Sequence, residues 1–283
     1  MNNKLILLDY DVGALGNSIY AMLSLTSENL YGPDNRNFTF NSVGNAHNVK
    51  SFSGFMLSNE TIQFDLDFLN EQVPNNKYDV RFGHAFQLYR TLHAKYPGSC
   101  LIKIVCKEFG FIYQILAGYK KFSGFPTLDT SNNFFNVRSS DYTEILEIFA
   151  LSYSSLLLEH KQLYSDDTIM LLNLDDILDT NLESVKIFFE TNFDFKFDET
   201  KFKDFQKLFK ENNQDLIDRT KLIYNIAIDT YNRNIVSIPN LEFYEKALLL
   251  AVLHAMTEID ISNLPLYTDK ELWVTNNTLI KYI

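Results

Sequence analysis

Two groups of residues in this chain have the types and spacing for chemistry. The first is Gly13-Ala14-Leu15-Gly16-Asn17-Ser18, which directly follows the apolar run Lys4 to Asp9. An anion such as a phosphate needs backbone N–H groups turned inward and side chains small enough for close approach. Gly13 and Gly16 permit that approach, and Asn17 and Ser18 add polar groups where a helix begins. In the common phosphate-loop pattern a lysine precedes the Ser or Thr; here Asn17 holds that place. The same residues also suit a tight strand–helix turn capped by Asn17 or Ser18. The second group is His84, in Phe82-Gly83-His84-Ala85 at the end of a strand-like run. Ligands of open parallel sheets bind beyond the carboxyl ends of the strands, the same edge as the glycine loop. An imidazole there suits a general base acting on a hydroxyl, because histidine titrates near working pH. The plainer role for His84 is a hydrogen-bonded corner residue. Lys107 follows the apolar run Ser99 to Cys106, where it either reaches the same edge or is simply solvated. His93, His160 and His254 lie on predicted helices without partners at ligand spacing, so no metal site is expected.

The elements that must position these residues alternate. Lys4 to Asp9 predicts a strand, and Ile19 to Tyr31 a helix. Residues 33–76 form a polar, Asn-rich excursion of short strands and loops. Tyr78 to Ala85 predicts a strand, Phe86 to Tyr96 a helix that stops at Pro97-Gly98, Ser99 to Cys106 a buried strand, and Phe109 to Lys121 a helix. Phe122 to Arg138 has no period and predicts a long loop. A helix from Asp141 to about Tyr164 and a strand from Thr168 to Asn173 follow. Asp175 and Asp176 are placed to cap the next helix, and Thr180 with Glu183 spells a capping box. The helical spacing of Phe202, Phe205, Leu208 and Phe209 predicts one helix; Asp215 to Asn234 and Asn240 to Ile259 predict two more. The tail from Leu264 to Ile283 is irregular. Strands alternating with helices up to residue 190 predict an α/β fold: a parallel sheet with helices on both faces and a helical part over 195–283. With no clean linker, residues 1–283 read as one domain.

Composition bounds the function. The chain has 283 residues, 46% of them hydrophobic, with 24 Phe and 16 Tyr, enough to build a sizeable core. A net charge of −11 without a basic stretch argues against nucleic acid as a partner, since that binding relies on Lys and Arg neutralising phosphates. The longest apolar stretch, Ala247 to Met256, is about half of a membrane span. No signal-peptide pattern opens the chain. Cys100 and Cys106 lie too far apart along one strand to bridge within it, and read as free thiols of a reducing compartment. The expected setting is therefore the cytoplasm, away from membranes.

The order of elements resembles the P-loop sulfotransferase fold in the divergent forms that marine bacteriophages encode. Tyr10 to Ser18 occupies the place of that family's donor loop, and Gly83-His84 that of its strand ending in Thr-His. Lys95-Tyr96-Pro97-Gly98-Ser99-Cys100-Leu101-Ile102 is similar to the family's phrase before its next strand. Ile169 to Asp175, Val185 to Phe189, Phe202 to Asn213 and Leu272 to Thr278 are similar to its C-terminal stretches. The resemblance implies a three-layer P-loop-like sheet. It also implies sulfuryl transfer from 3′-phosphoadenylyl sulfate to a hydroxyl of a small molecule or glycan, in a host cytoplasm. Gly13, Gly16, Asn17 and Ser18 would hold the donor, His84 would be the base, and Lys107 would touch the nucleotide. The chain departs from the family by lacking the loop lysine between Asp11 and Ser18, and a serine after Lys107. Those departures fit a second expectation, a catalytically inactive structural or host-interaction protein of a virus. A third comes from Ala14-Leu15-Gly16-Asn17, which is similar to a loop of fucosyltransferase-like glycosyltransferases; their His-x-Arg-Arg-x-Asp phrase has no counterpart here.

Overall fold

The computed structural model describes residues 5–11, 13–32, 36–40, 46–47, 73–84, 86–96, 98–122, 125–128, 134–137, 162–231 and 241–257, together with Phe149, Ser152, Tyr153, Leu156 and Glu159. They gather into two compact units. Met1–Val105 with Tyr164–Gln214 forms the first, and Cys106–Leu163 with Asp215–Ile283 the second.

The first unit is built on a parallel five-stranded sheet. Its strands are β1 (Leu5–Asp9), β2 (Leu30–Tyr31), β5 (Tyr78–Gly83), β6 (Ser99–Val105) and β9 (Ile169–Asn173), in the order β2-β5-β1-β6-β9. All five residues of β1 are buried, as expected of the central strand of a parallel sheet. The register sets Leu5 beside Asp79 and Ser99, and Asp9 beside Gly83 and Lys103, so β1, β5 and β6 end close to one level. Helix α1 (Gly16–Thr26) packs on β5, and α2 (Phe86–Lys95) on β6 and β1. The short strands β3 (Thr39–Phe40) and β4 (Ala46–His47) pair antiparallel inside the predicted polar excursion.

Helix α1 starts and ends earlier than the sequence predicts. The Thr26 hydroxyl donates back to the Met22 carbonyl at 2.7 Å, Ser27 turns extended, and Leu30–Tyr31 joins the sheet edge beside Tyr78–Asp79. After β9, Asn173 accepts the Asp175 N–H and caps α4 (Leu174–Asp179). Asp175 and Asp176 thus lie in the first turn of α4, where their charge suits the helix dipole, instead of capping a later helix. The predicted capping box is also replaced. Thr180 accepts the Ser184 N–H at 3.0 Å, but the Glu183 carboxylate turns to Lys186 and Gln206. Leu182, in a left-handed conformation, stands at the N-cap of α5 (Glu183–Phe193).

Where the sequence predicts two helices meeting near Asn213, the chain forms one, α6 (Glu199–Tyr231). No glycine or proline interrupts it. The Asn212 and Asn213 amides donate to the carbonyls of Leu208 and Phe209, each at 2.8 Å, along the helix instead of breaking it.

In the second unit, α3 (Glu108–Phe122) precedes a hairpin of β7 (Phe125–Leu128) and β8 (Phe134–Val137). This hairpin replaces the predicted aperiodic loop. Phe-Pro-Thr-Leu and Phe-Phe-Asn-Val are short, aromatic and β-branched, and their antiparallel pairing supplies what periodicity did not announce. The described residues of the helix predicted from Asp141 are helical. Helix α7 (Phe243–Thr257) buries Ala247 to Leu253. Leu264 to Ile283, including the Leu272 to Thr278 phrase, lies outside the described residues. Cys100 and Cys106 are free thiols. Among the described residues no helix is long and apolar enough to cross a membrane.

Candidate functional site

The site lies at the carboxyl ends of β1, β5 and β6. The chain leaves β1 at Asp9, and the Tyr10 N–H donates to the Gly83 carbonyl at 3.2 Å, carrying the ladder one residue further. A turn follows, closed by the Ala14 N–H on the Asp11 carbonyl at 3.0 Å. Gly13 takes φ 86°, a conformation that favours glycine. Leu15 also takes a left-handed backbone, φ 64°, with its side chain buried. For a branched residue this costs roughly 1 kcal/mol, offset by burial. Leu15, at the N-cap of α1, makes no side-chain cap hydrogen bond to the N–H groups of the first turn.

The Tyr10 ring fills the space over that turn. A Cβ on Gly16 would lie 2.1 Å from Tyr10 Cδ1, so the ring sits directly on the glycine. The Tyr10 hydroxyl donates to Asn17 Oδ1. Burial, with Tyr89 and Asp9 nearby, pushes its pKa up and keeps it a neutral donor. The Ser18 hydroxyl accepts the Ala46 N–H at 3.1 Å, tying α1 to β4.

His84 stands at the end of β5, exposed, with Nδ1 2.5 Å from the Tyr10 carbonyl oxygen. A carbonyl only accepts, so in neutral His84 the proton sits on Nδ1 and Nε2 is the basic nitrogen. The imidazole meets the Tyr10 ring edge-on, with centroids 4.4 Å apart. Gly16, Asn17 and His84 are thus brought together around Tyr10, and Gly13 lies in the turn that follows it. Ser18 is adjacent, with its hydroxyl turned to β4. Lys107 belongs to the second unit, where it is exposed and its carbonyl accepts the Phe111 N–H.

Sequence reasoning passed over the charged group at the centre of this edge. Lys103 on β6 is 2% exposed, and its Nζ reaches Asp9 Oδ2 at 2.7 Å and Asp11 Oδ1 at 2.9 Å. The Phe86 ring lies 5.3 Å from the same ammonium. A lysine inside an apolar run signals this, since a buried ammonium requires a counter-charge. Asp9 and Asp11, alternating at the end of an apolar strand, supply it. Among the described residues no group of three or more His, Cys, Asp or Glu is placed to hold a metal ion. Compared with known proteins, the chain matches no family model, no curated protein and no solved structure.

Proposed function

We propose that this protein is a transferase that moves an anionic group onto a hydroxyl, with His84 as general base and the turn from Gly13 to Ser18 as donor site. The observation that carries the reading is the contact of His84 Nδ1 with the Tyr10 carbonyl. It leaves Nε2 as the basic nitrogen, on the same sheet edge as the start of α1, where the N-cap residue Leu15 makes no side-chain cap hydrogen bond. The finer reading is sulfuryl transfer from 3′-phosphoadenylyl sulfate on a P-loop-like sheet. Right-handed crossovers, the rule for parallel units, would put α1 and α2 on opposite faces, because β5 and β6 flank β1 on opposite sides. A donor of that kind would bring its own leaving group. Its phosphosulfate does not fit the turn as it stands, because the Tyr10 ring covers Gly16, so entry of the anion requires that ring to swing out.

A second reading, a binding protein without catalysis, is favoured by a different observation. The turn is filled by a side chain of its own, and Lys103 is already held by two carboxylates.

Calorimetry with 3′-phosphoadenosine 5′-phosphate, followed by transfer assays on a hydroxyl panel, separates the two. The transferase reading expects saturable heat, and loss of turnover by about a hundredfold or more in His84→Gln with nucleotide binding retained. No heat at millimolar nucleotide in either wild type or Tyr10→Ala overturns it.

A further inference from the structure

Two cations at the carboxyl end of the sheet are already engaged. Lys103 is held between Asp9 and Asp11, and the buried Arg81 reaches Asp79 at 2.8 Å. Asn17 stands where a phosphate loop carries its lysine. A neutral hydrogen-bond donor also stabilises charge that builds up in a transition state. We propose that the Tyr89 hydroxyl is that donor, a further catalytic group of this site. The assignment rests on the transferase reading above.

One residue separates His84 from α2, so the helix begins at the tip of β5. Its buried face carries Phe86, Tyr89 and Leu92, spaced three apart. Phe86 lies against the Lys103 ammonium, and Tyr89, about one turn on, brings its hydroxyl to Gly83. A Cβ on Gly83 would stand 3.2 Å from that oxygen and 4.0 Å from Cζ. The missing side chain in the residue before His84 lets the phenol come this close to the strand end. The Tyr89 ring is buried, but its hydroxyl makes no hydrogen bond among the described residues and is not sealed in as the Tyr20 hydroxyl is. It is left able to donate to a ligand.

Electrostatics relate this phenol to the donor turn. Burial first, then the neighbouring Tyr89, raises the pKa of Tyr10, whose hydroxyl reaches Asn17. Tyr89 itself is pushed up by burial and then by Asp9, against the pull of Arg81. It therefore stays protonated at working pH. In the transfer, the bond from the anionic group to its donor breaks, and the leaving group keeps the electron pair. The acceptor oxygen forms the new bond, and its proton passes to His84 Nε2. Tyr89 keeps its own proton and donates a hydrogen bond to a peripheral oxygen of the moving group. An interaction strongest at that point lowers the barrier more than it tightens donor binding.

The test compares Tyr89→Phe with wild type, using 3′-phosphoadenylyl sulfate and the hydroxyl panel. Loss of one such donor is expected to lower kcat by about tenfold to a hundredfold. Affinity for 3′-phosphoadenosine 5′-phosphate by calorimetry stays within about twofold, which separates a transition-state contact from a binding one. The melting temperature and the shape of the pH–rate profile stay as in wild type, since the hydroxyl titrates outside the working range. Turnover in Tyr89→Phe equal to wild type overturns the inference and leaves the transferase reading standing. A loss that comes with a lower melting temperature or weaker nucleotide binding assigns the hydroxyl to packing and overturns it too. Absence of turnover in wild type across the panel ends the transferase reading, and this assignment with it.

Discussion

The Tyr10 ring rests on the Cα of Gly16, so closely that a Cβ at residue 16 would lie within 2.3 Å of three ring atoms. The two residues are six apart in sequence, on either side of the turn that joins β1 to α1. Glycine at this helix start is therefore a packing requirement, and the requirement is set by Tyr10.

That relationship predicts a sign reversal. In wild type, Gly16→Ala forces the ring aside and destabilises by about 1–3 kcal/mol. In a Tyr10→Ala background the clash is gone, and the same change stabilises by up to roughly 1 kcal/mol, because alanine is the better helix former. Urea denaturation of the four proteins measures the coupling. Equal effects of Gly16→Ala in both backgrounds would show that the ring does not sit where described.

Lys103 predicts a large loss on truncation. Lys103→Met leaves two carboxylates at the end of β1 without their cation, and breaking such a buried arrangement costs about 3–5 kcal/mol. The triple change Asp9→Asn, Asp11→Asn and Lys103→Met removes every charge together and recovers much of that loss. Thermal melts followed by circular dichroism read both effects. A single Lys103→Met variant as stable as wild type contradicts the buried network.

Asp166 carries a pH dependence with a defined sign. Its carboxylate accepts the Thr168 hydroxyl and the Thr168 N–H, and these bonds, aided by Arg90, hold its pKa below the ordinary value of 3.8. A lowered folded-state pKa contributes stability at pH values above the unfolded pKa. That contribution is lost as pH falls through the folded one. Thr168→Ala therefore raises the Asp166 midpoint and flattens the acid limb of the stability profile below about pH 4. NMR titration of the carboxyl carbon gives the midpoint directly, and no movement would assign the shift to another cause.

In the second unit, Arg219 holds the buried Glu245 with two nitrogens, and Glu245 also accepts the Glu242 N–H at 2.8 Å. Arg219→Ala is expected to cost about 2–4 kcal/mol, largely by stranding the carboxylate. Arg219→Lys keeps the charge but loses the fork and recovers only part of it. Chemical denaturation of both variants checks the order, and a lysine variant no better than alanine would leave the charge without a role.

Much of the sheet was legible because parallel strands are buried on both faces and read as continuous apolar runs. β1, β6 and β9 fall within such runs, while β5 alternates apolar and charged residues, with Asp79 and Arg81 buried in it as a pair. The α6 helix was legible in its faces but not in its length, since asparagines that elsewhere end helices here bond back along this one. The β7–β8 hairpin left no trace, because two strands of four residues carry too few alternations to count. In the site, the glycine turn and His84 were legible as small residues and an imidazole at strand ends. The roles of Asp9, Asp11 and Lys103 were not, because these partners lie 94 and 92 residues apart in the chain; that of Tyr10 was not, because no spacing says that its ring folds back over Gly16.

The sequence by itself determined that an α/β sheet would form, and that a glycine turn and a histidine would stand at its strand ends. Apolar runs and chain-breaking residues are local, and burial acts on them wherever they are placed. The strand order and register came only from the tertiary structure, because the apolar runs are interchangeable in hydrophobicity until helices and neighbours select their partners. That choice set Asp9 beside Lys103 and put His84 against the Tyr10 carbonyl.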